Sequence, residues 1–204
     1  MLKRKIDIIK KFSLSKIQVS LIDIFLEELR MENKFINLVG KSTLLNPWDR
    51  HVCDSLQIIS YIGDMKGKII DMGAGPGIPG IFLSIAGCSN VLMVESTKKK
   101  ADFIKRLVGK LEISAEVYNK RIEELRTSPA KYIVSRALAP LKVLINYSLI
   151  LSNNETSLLF LKGRSVNKEI EEAKKNYNFK HKVFKSLSEG DGFILKIYDL
   201  KKND

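Results

Sequence analysis

Residues 71 to 80 read Asp-Met-Gly-Ala-Gly-Pro-Gly-Ile-Pro-Gly, directly after an apolar run and directly before a helical stretch. Glycine has no Cβ, so Gly73, Gly75 and Gly77 are free to take φ > 0 and to let a ligand lie against the backbone. A helix that begins here has amides to spare, and Pro79 suits its first turn, where no N–H is needed. Such a turn between strand and helix is a cofactor cradle. It commits the chain to an α/β fold rather than to a bundle or a sandwich.

The rest of the chain agrees. Short apolar runs predict strands at 68–71, 91–95, 115–118, 132–135 and 157–162, with helices between and after them at 79–86, 97–111, 141–151 and 166–177. That alternation predicts a mostly parallel, doubly wound, Rossmann-like sheet with right-handed crossovers. The end differs: runs at 179–185 and 193–198, joined by Glu189-Gly190-Asp191-Gly192, predict a hairpin and one antiparallel C-terminal strand. Ahead of the sheet, Ile17, Leu21, Ile24, Phe25 and Leu29 stripe a helix over 15–32. Asn46 and Pro47 supply the cap and first position of a second helix, 47–62, striped by Trp48, Val52, Leu56, Ile59 and Ile62. We therefore expect an N-terminal helical extension, 1–66, packed on a Rossmann-like domain, 67–204, as a single structural unit.

Charge narrows the partners. The chain has 35 Lys and Arg against 23 Asp and Glu, a net +12, and a basic surface favours polyanions through counterion release. Cys53 and Cys88, with only His51 and His181 as companions, build neither a disulfide framework nor a zinc site. Lysines and an arginine break the N-terminal stretch where a signal peptide is apolar, and no run reaches the roughly 18 apolar residues of a spanning helix. The expectation is a cytoplasmic monomer with no membrane partner and no metal.

Gly75-x-Gly77-x-x-Gly80 formally matches the dinucleotide fingerprint, and Glu95 lies where a ribose-binding acid belongs, so an NAD-dependent oxidoreductase is one reading. Two residues point elsewhere. Pro76 removes an amide from the turn, and Asp71 puts a carboxylate where a dinucleotide turn has an apolar side chain. A carboxylate suits a cation better than a pyrophosphate, which favours S-adenosylmethionine with its sulfonium and ammonium; Glu95 would then accept both ribose hydroxyls. A non-catalytic RNA-binding module on the same fold should have lost these contacts, yet the glycines, Glu95 and Arg136 are all present. Arg136 ends the fourth strand, and Lys162 and Arg164 end or follow the fifth, which places three cations at the pocket mouth for phosphate and base. Lys98 to Lys100, Lys99 among them, open a helix where cations oppose the macrodipole, so a basic ridge for RNA explains them better than helix stability does, with a lysine-rich codon pool as the other reading. His51 reads either as a helix-surface histidine near Asp54 or as a support of the pocket.

The decapeptide at 71–80, with Glu95-Ser96, Lys99-Lys100 and Phe103-Ile104, resembles the bacterial 16S ribosomal RNA guanine-N7 methyltransferases, the glucose-inhibited division protein B family. His51-x-x-Asp54-Ser55-Leu56, Arg121-Ile122-Glu123, Ser135-Arg136-Ala137 and Leu161-Lys162-Gly163 follow in the family's order, so the resemblance spans residues 33–163. It implies a class I methyltransferase sheet in which Gly73 and Ile78 line the methionine end of S-adenosylmethionine, Ile122 and Glu123 flank its adenine, and Arg136 serves cofactor and substrate. The implied target is the guanine conventionally numbered 527 in small-subunit RNA. Ile78 stands where Phe or Leu is common, which keeps an apolar wall, and Val39 stands where Thr is frequent. Guanine N7 bears no proton and holds its lone pair in the ring plane, so in-line transfer needs orientation, worth up to roughly 7–11 kcal/mol, and no general base.

Overall fold

The computed structural model describes residues 2–203. Strands β1 (Ile69–Met72), β2 (Val91–Val94), β3 (Ala115–Tyr118), β4 (Tyr132–Arg136) and β5 (Ser157–Lys162) run parallel, and β6 (Tyr177–Lys185) and β7 (Phe193–Lys202) form the terminal hairpin. The order across the sheet is β3-β2-β1-β4-β5-β7-β6. Only β7 is antiparallel to the rest; it pairs with both β5 and β6 and so lies one strand in from the edge. Beyond β5 the described chain holds no second mononucleotide-binding half. A dehydrogenase of the usual build would need one.

The inner strands are apolar throughout because both faces are covered. On one face Ile69, Met93, Val134 and Leu159 meet α4 (Gly80–Ile85), α5 (Lys98–Leu111) and the N-terminal helices; on the other Ile70, Val94, Ile133 and Phe160 meet α6 (Leu141–Leu151) and α7 (Val166–Lys174). The extension shares the first of these cores. Phe25 of α2 (Lys16–Glu32) stacks edge-on against Phe82 of α4 with ring centroids 4.8 Å apart, and neither ring is exposed.

The extension departs from its sequence pattern in three places. A first helix, α1 (Leu2–Lys11), buries Ile8 where no helix is expected from the sequence. In α2 the buried stripe is Ile22, Phe25, Leu26 and Leu29, while Ile17 and Ile24 face outward. Positions 22, 25, 26 and 29 follow the i, i+3, i+4, i+7 spacing of one face, and a stripe begun at Ile17 is rotated off it. The segment expected as one α-helix over 47–62 is wound unevenly, as a π-helical turn at Trp48–Cys53, one α turn α3 (Asp54–Leu56) and a 3₁₀ turn at Gln57–Tyr61. Asn46 does not cap it: its carbonyl takes the Arg50 amide, and its buried Oδ1 bonds to nothing. Pro47 occupies the cap position itself.

From β1 the chain winds outward to β2 and β3, then crosses back to β4 and β5 on the other side. The carboxyl ends of β1 and β4 are therefore the switch point where open α/β sheets bind ligands. Ser135 Oγ donates to the Met72 carbonyl at 2.9 Å and holds the two ends together.

Candidate active site

Three glycines after β1 have positive φ: Gly73 (66°), Gly75 (59°) and Gly77 (92°). A left-handed backbone disfavours a side chain at all three, and the space around them differs. A Cβ on Gly73 would fall 2.5 Å from Leu138 Cδ1, and one on Gly77 would fall 2.6 Å from Ile81 Cδ1, whereas a Cβ on Gly75 would meet nothing within 4 Å. Gly75 thus borders open space. The loop is held from below and from the side: Asp71 Oδ2 accepts the Gly80 amide at 2.8 Å, and Glu95 spans from the Gly75 amide (2.9 Å) to the Thr97 amide (2.7 Å). Asn119, which the motif reading passed over, donates to the carbonyls of Glu95 and Ser96 and fixes that turn. An amide side chain just after a third strand is too common a signal to have singled it out.

Arg136, at the carboxyl end of β4, is the hub on the other side of the switch point. Its Nη1 donates to the Arg50 carbonyl (3.0 Å) and to His51 Nδ1 (3.1 Å), and Asp54 Oδ2 lies 3.7 Å away. Only 18% of the Arg136 side-chain surface reaches solvent. Burial pulls its pKa down while Asp54 and Asp71 pull it up. Since a guanidinium only donates, His51 Nδ1 must accept, and the imidazole proton is on Nε2. Burial, reinforced by the charges of Arg136 and Arg50, drops the His51 pKa to about 3, so the ring is neutral. Asp54 is itself raised by burial, against the pull of Arg136 and the Ser188 hydroxyl. The cluster reaches the terminal hairpin: Gln57 bonds Ser186 and the Leu187 amide, Asp49 takes the Glu189 amide, and Arg4 of α1 bonds Asp49 at 2.6 Å. Only His51, Asp54 and Arg136 of this network are legible in the sequence, because its other members come from segments without motif spacing.

Two buried polar atoms at this junction have no partner: Asp71 Oδ1 and His51 Nε2. Each costs about 1–3 kcal/mol if left so. One accepts and the other donates, and both residues feel the charge of Arg136. An acceptor, a donor and a guanidinium together fit a ligand carrying both an ammonium and a carboxylate, such as an amino-acid group. Burial raises the Asp71 pKa to about 7, against the Gly80 amide and Arg136 and with help from Glu95.

The remaining residues singled out in the sequence are spread around this centre. Ile78 is buried beneath the loop, and Ile122 is buried in the short turn at Ile122–Glu124, with Glu123 exposed beside it. Lys99 is exposed at the start of α5. Arg164 is exposed and pairs with Asp191 at 2.7 Å. Lys162 turns inward: it pairs with Glu169 at 2.5 Å and donates to the Ala139 carbonyl, with 9% of its side chain exposed. Cys53 and Cys88 are buried free thiols, and burial raises both to about 11.

Residues 18–193 match a family model described as rRNA small subunit methyltransferase G, which extends beyond residues 33–163 at both ends. The ribosomal RNA small subunit methyltransferase G of Rickettsia prowazekii is 37% identical over 181 residues, covering 89% of this chain and 94% of that relative. Its counterpart in Granulibacter bethesdensis is 33% identical over 167 residues, covering 82% and 78%. Among solved structures, the ribosomal protein L11 methylase of Lactobacillus delbrueckii subsp. bulgaricus has a TM-score of 0.60 at 18% identity, covering 72% of this chain and 76% of that one. The glycopeptide N-methyltransferase MtfA, complexed with S-adenosyl-L-homocysteine, has a TM-score of 0.61 at 8% identity, covering 72% and 89%. Identities this low speak for the fold alone, a class I methyltransferase sheet.

The neutral His51 makes a prediction with a definite sign. A histidine lowered from 6.5 to about 3 contributes stability that is present above its ordinary pKa and is lost as pH falls toward the folded value. The destabilisation caused by His51→Gln should therefore be smaller at pH 5 than at pH 7.5, by about 2 kcal/mol at 1.36 kcal/mol per unit. Urea unfolding at the two pH values measures it; a cost that does not change with pH contradicts the assignment.

Proposed function

This chain belongs to the rRNA small subunit methyltransferase G family, and on that premise we propose that it methylates N7 of a guanine in 16S ribosomal RNA, the one conventionally numbered 527, with S-adenosylmethionine as donor. The open space over Gly75, bordered by the Glu95 carboxylate, carries the proposal, with the unbonded Asp71 Oδ1 and His51 Nε2 completing it. When bound, S-adenosylmethionine supplies a sulfonium methyl to the unprotonated N7, so no general base is required.

The residues then divide by chemistry. Asp71 Oδ1 is the acceptor for the donor's ammonium, the Arg136 guanidinium is the cation for its carboxylate, and the neutral His51 donates to that carboxylate through Nε2–H. Glu95 keeps lone pairs beyond the two it gives to Gly75 and Thr97, and these accept ribose hydroxyls. Gly73 and Ile78 wall the methionine end, while Ile122 and Glu123 flank the adenine. Arg136, locked between the Arg50 carbonyl and His51, positions the reacting groups rather than moving a proton. Lys99 and Arg164 present charge to RNA phosphates from exposed positions, and Lys162 shapes the rim from within its pair with Glu169.

The reaction is tested with purified protein, S-adenosylmethionine labelled in the methyl, and small subunits from cells lacking the modification, followed by nucleoside analysis. Label in 7-methylguanosine that falls by at least tenfold with Arg136→Ala is the expected result. Label in another nucleoside would overturn the assignment of N7.

Asp71 adds a pH signature. A carboxyl raised to about 7 is mostly protonated at pH 6, and an ammonium beside it favours the ionised form. Binding of S-adenosylmethionine at pH 6 should release close to one proton, read by calorimetry in buffers of different ionisation enthalpy, and little at pH 7.5, where the ligand's α-ammonium is still mostly protonated. Affinity should rise with pH between these limits and lose that dependence in Asp71→Asn. Equal proton release at both pH values would remove Asp71 from the ammonium site.

A further inference from the structure

The helical segment at 48–61 bonds to the loop of the terminal hairpin but leaves part of its strands uncovered. There an open groove of about 670 Å³ lies between the end of the 3₁₀ turn at Tyr61 and the strands β5, β6 and β7. Tyr61, Phe184 and Tyr198 line it together with Lys182, Lys196 and Ser157, and no carboxylate does. Tyr61 and Phe184 are stacked, with ring centroids 4.5 Å apart, and all three aromatic residues are partly exposed.

The lysines are the informative pair. Lys182 and Lys196 are direct cross-strand partners in the β6–β7 ladder, on the face that opens into the groove. Like charges placed directly opposite repel and destabilise a ladder. On the same hairpin Lys180 pairs with Asp199, whereas Lys182 and Lys196 face only each other. Neither Lys182 nor Lys196 has an ion pair or a side-chain hydrogen bond among the described residues. A bridging anion would turn the repulsion into attraction, and the aromatic faces beside it suit bases.

We infer that this groove binds a single-stranded stretch of the substrate RNA, with a phosphodiester between Lys182 and Lys196 and bases against Tyr198 and the Tyr61–Phe184 pair. The inference rests on the RNA reading above and adds a second anchoring surface to it. Gly63 and Ser157 precede or begin their strands, so the groove opens toward the amino ends of β1 and β5, away from the glycine loop at the carboxyl ends. RNA held there spans the sheet edge around the terminal hairpin, whose loop is bonded to Asp49, Asp54 and Gln57. The same strand then passes the cluster that holds Arg136.

The test is the double variant Lys182→Gln/Lys196→Gln in the full chain, with a labelled 16S ribosomal RNA fragment containing guanine 527 as probe. Its affinity should fall about tenfold at moderate salt. The slope of log affinity against log salt should become shallower by about 0.7, the value for one phosphate contact on a single strand. The KM for RNA in methyl transfer should rise in parallel, while calorimetry finds the same affinity for S-adenosylmethionine as in the wild type. The melting temperature should hold or rise, because a repulsion has been removed. Unchanged affinity and slope would overturn the inference. Intact binding to the RNA fragment with lost binding to the assembled subunit would also overturn it, and give the groove to a ribosomal protein. A wild-type protein that binds no RNA would instead refute the underlying function, a result seen before any variant is made.

Discussion

The buried guanidinium of Arg136 is the interaction on which the rest depends. It stands at the carboxyl end of β4, where the sheet's winding reverses, and it is fastened to a carbonyl, an imidazole and a carboxylate that all belong to the extension before the sheet. A charge taken this far out of water must be fully engaged or it costs several kcal/mol. The uneven winding of residues 48–61 serves that engagement, since it turns the Arg50 carbonyl, His51 and Asp54 toward the same point. The helical extension thus supplies the groups that hold Arg136, and it also shares a core with the sheet around Phe25 and Phe82.

Asp71 and His51 form a matched pair of liabilities. Each is buried with one atom unbonded, one as acceptor and one as donor, and their shifts have opposite consequences for stability. A raised carboxyl favours the fold at low pH and a lowered imidazole disfavours it there, so the two offset each other across the mildly acidic range. Unbonded polar atoms of this kind concentrate where a ligand is to supply the missing partner. On the glycine loop the missing element is a side chain rather than a bond: positive φ holds Gly73, Gly75 and Gly77 to glycine, and Gly75 fronts open space.

Much of this was legible in the sequence, and the parts that were not share a cause. The strand and helix alternation from residue 67 onward appears almost as expected, because short apolar runs with clear turn chemistry leave little choice of period. The terminal hairpin was visible in its Glu-Gly-Asp-Gly turn, but not its insertion of β7 beside β5, since pairing partners are set by packing across the sheet. In the extension, the face of α2 and the winding of 48–61 were decided by what those residues touch. Ile17 and Ile24 are as apolar as Ile22 and Leu26, and the positions of α4 and α5, against which α2 packs, select between them. The glycines, Glu95 and Arg136 carry a local signal in their spacing. Lys162 looked like a free cation at the rim because Glu169, its partner across the pocket wall, carries no mark in the sequence.

The central claim is that Arg136 and His51 act as one unit in holding the cofactor, and a double-mutant cycle on S-adenosylmethionine affinity tests it most directly. Calorimetry would be run on the wild type, Arg136→Lys, His51→Gln and the double variant. Losses that overlap, with a coupling above about 1 kcal/mol, are predicted for residues joined by a hydrogen bond in one network. Losses that add to within about 0.3–0.5 kcal/mol, as independent sites do, would contradict it.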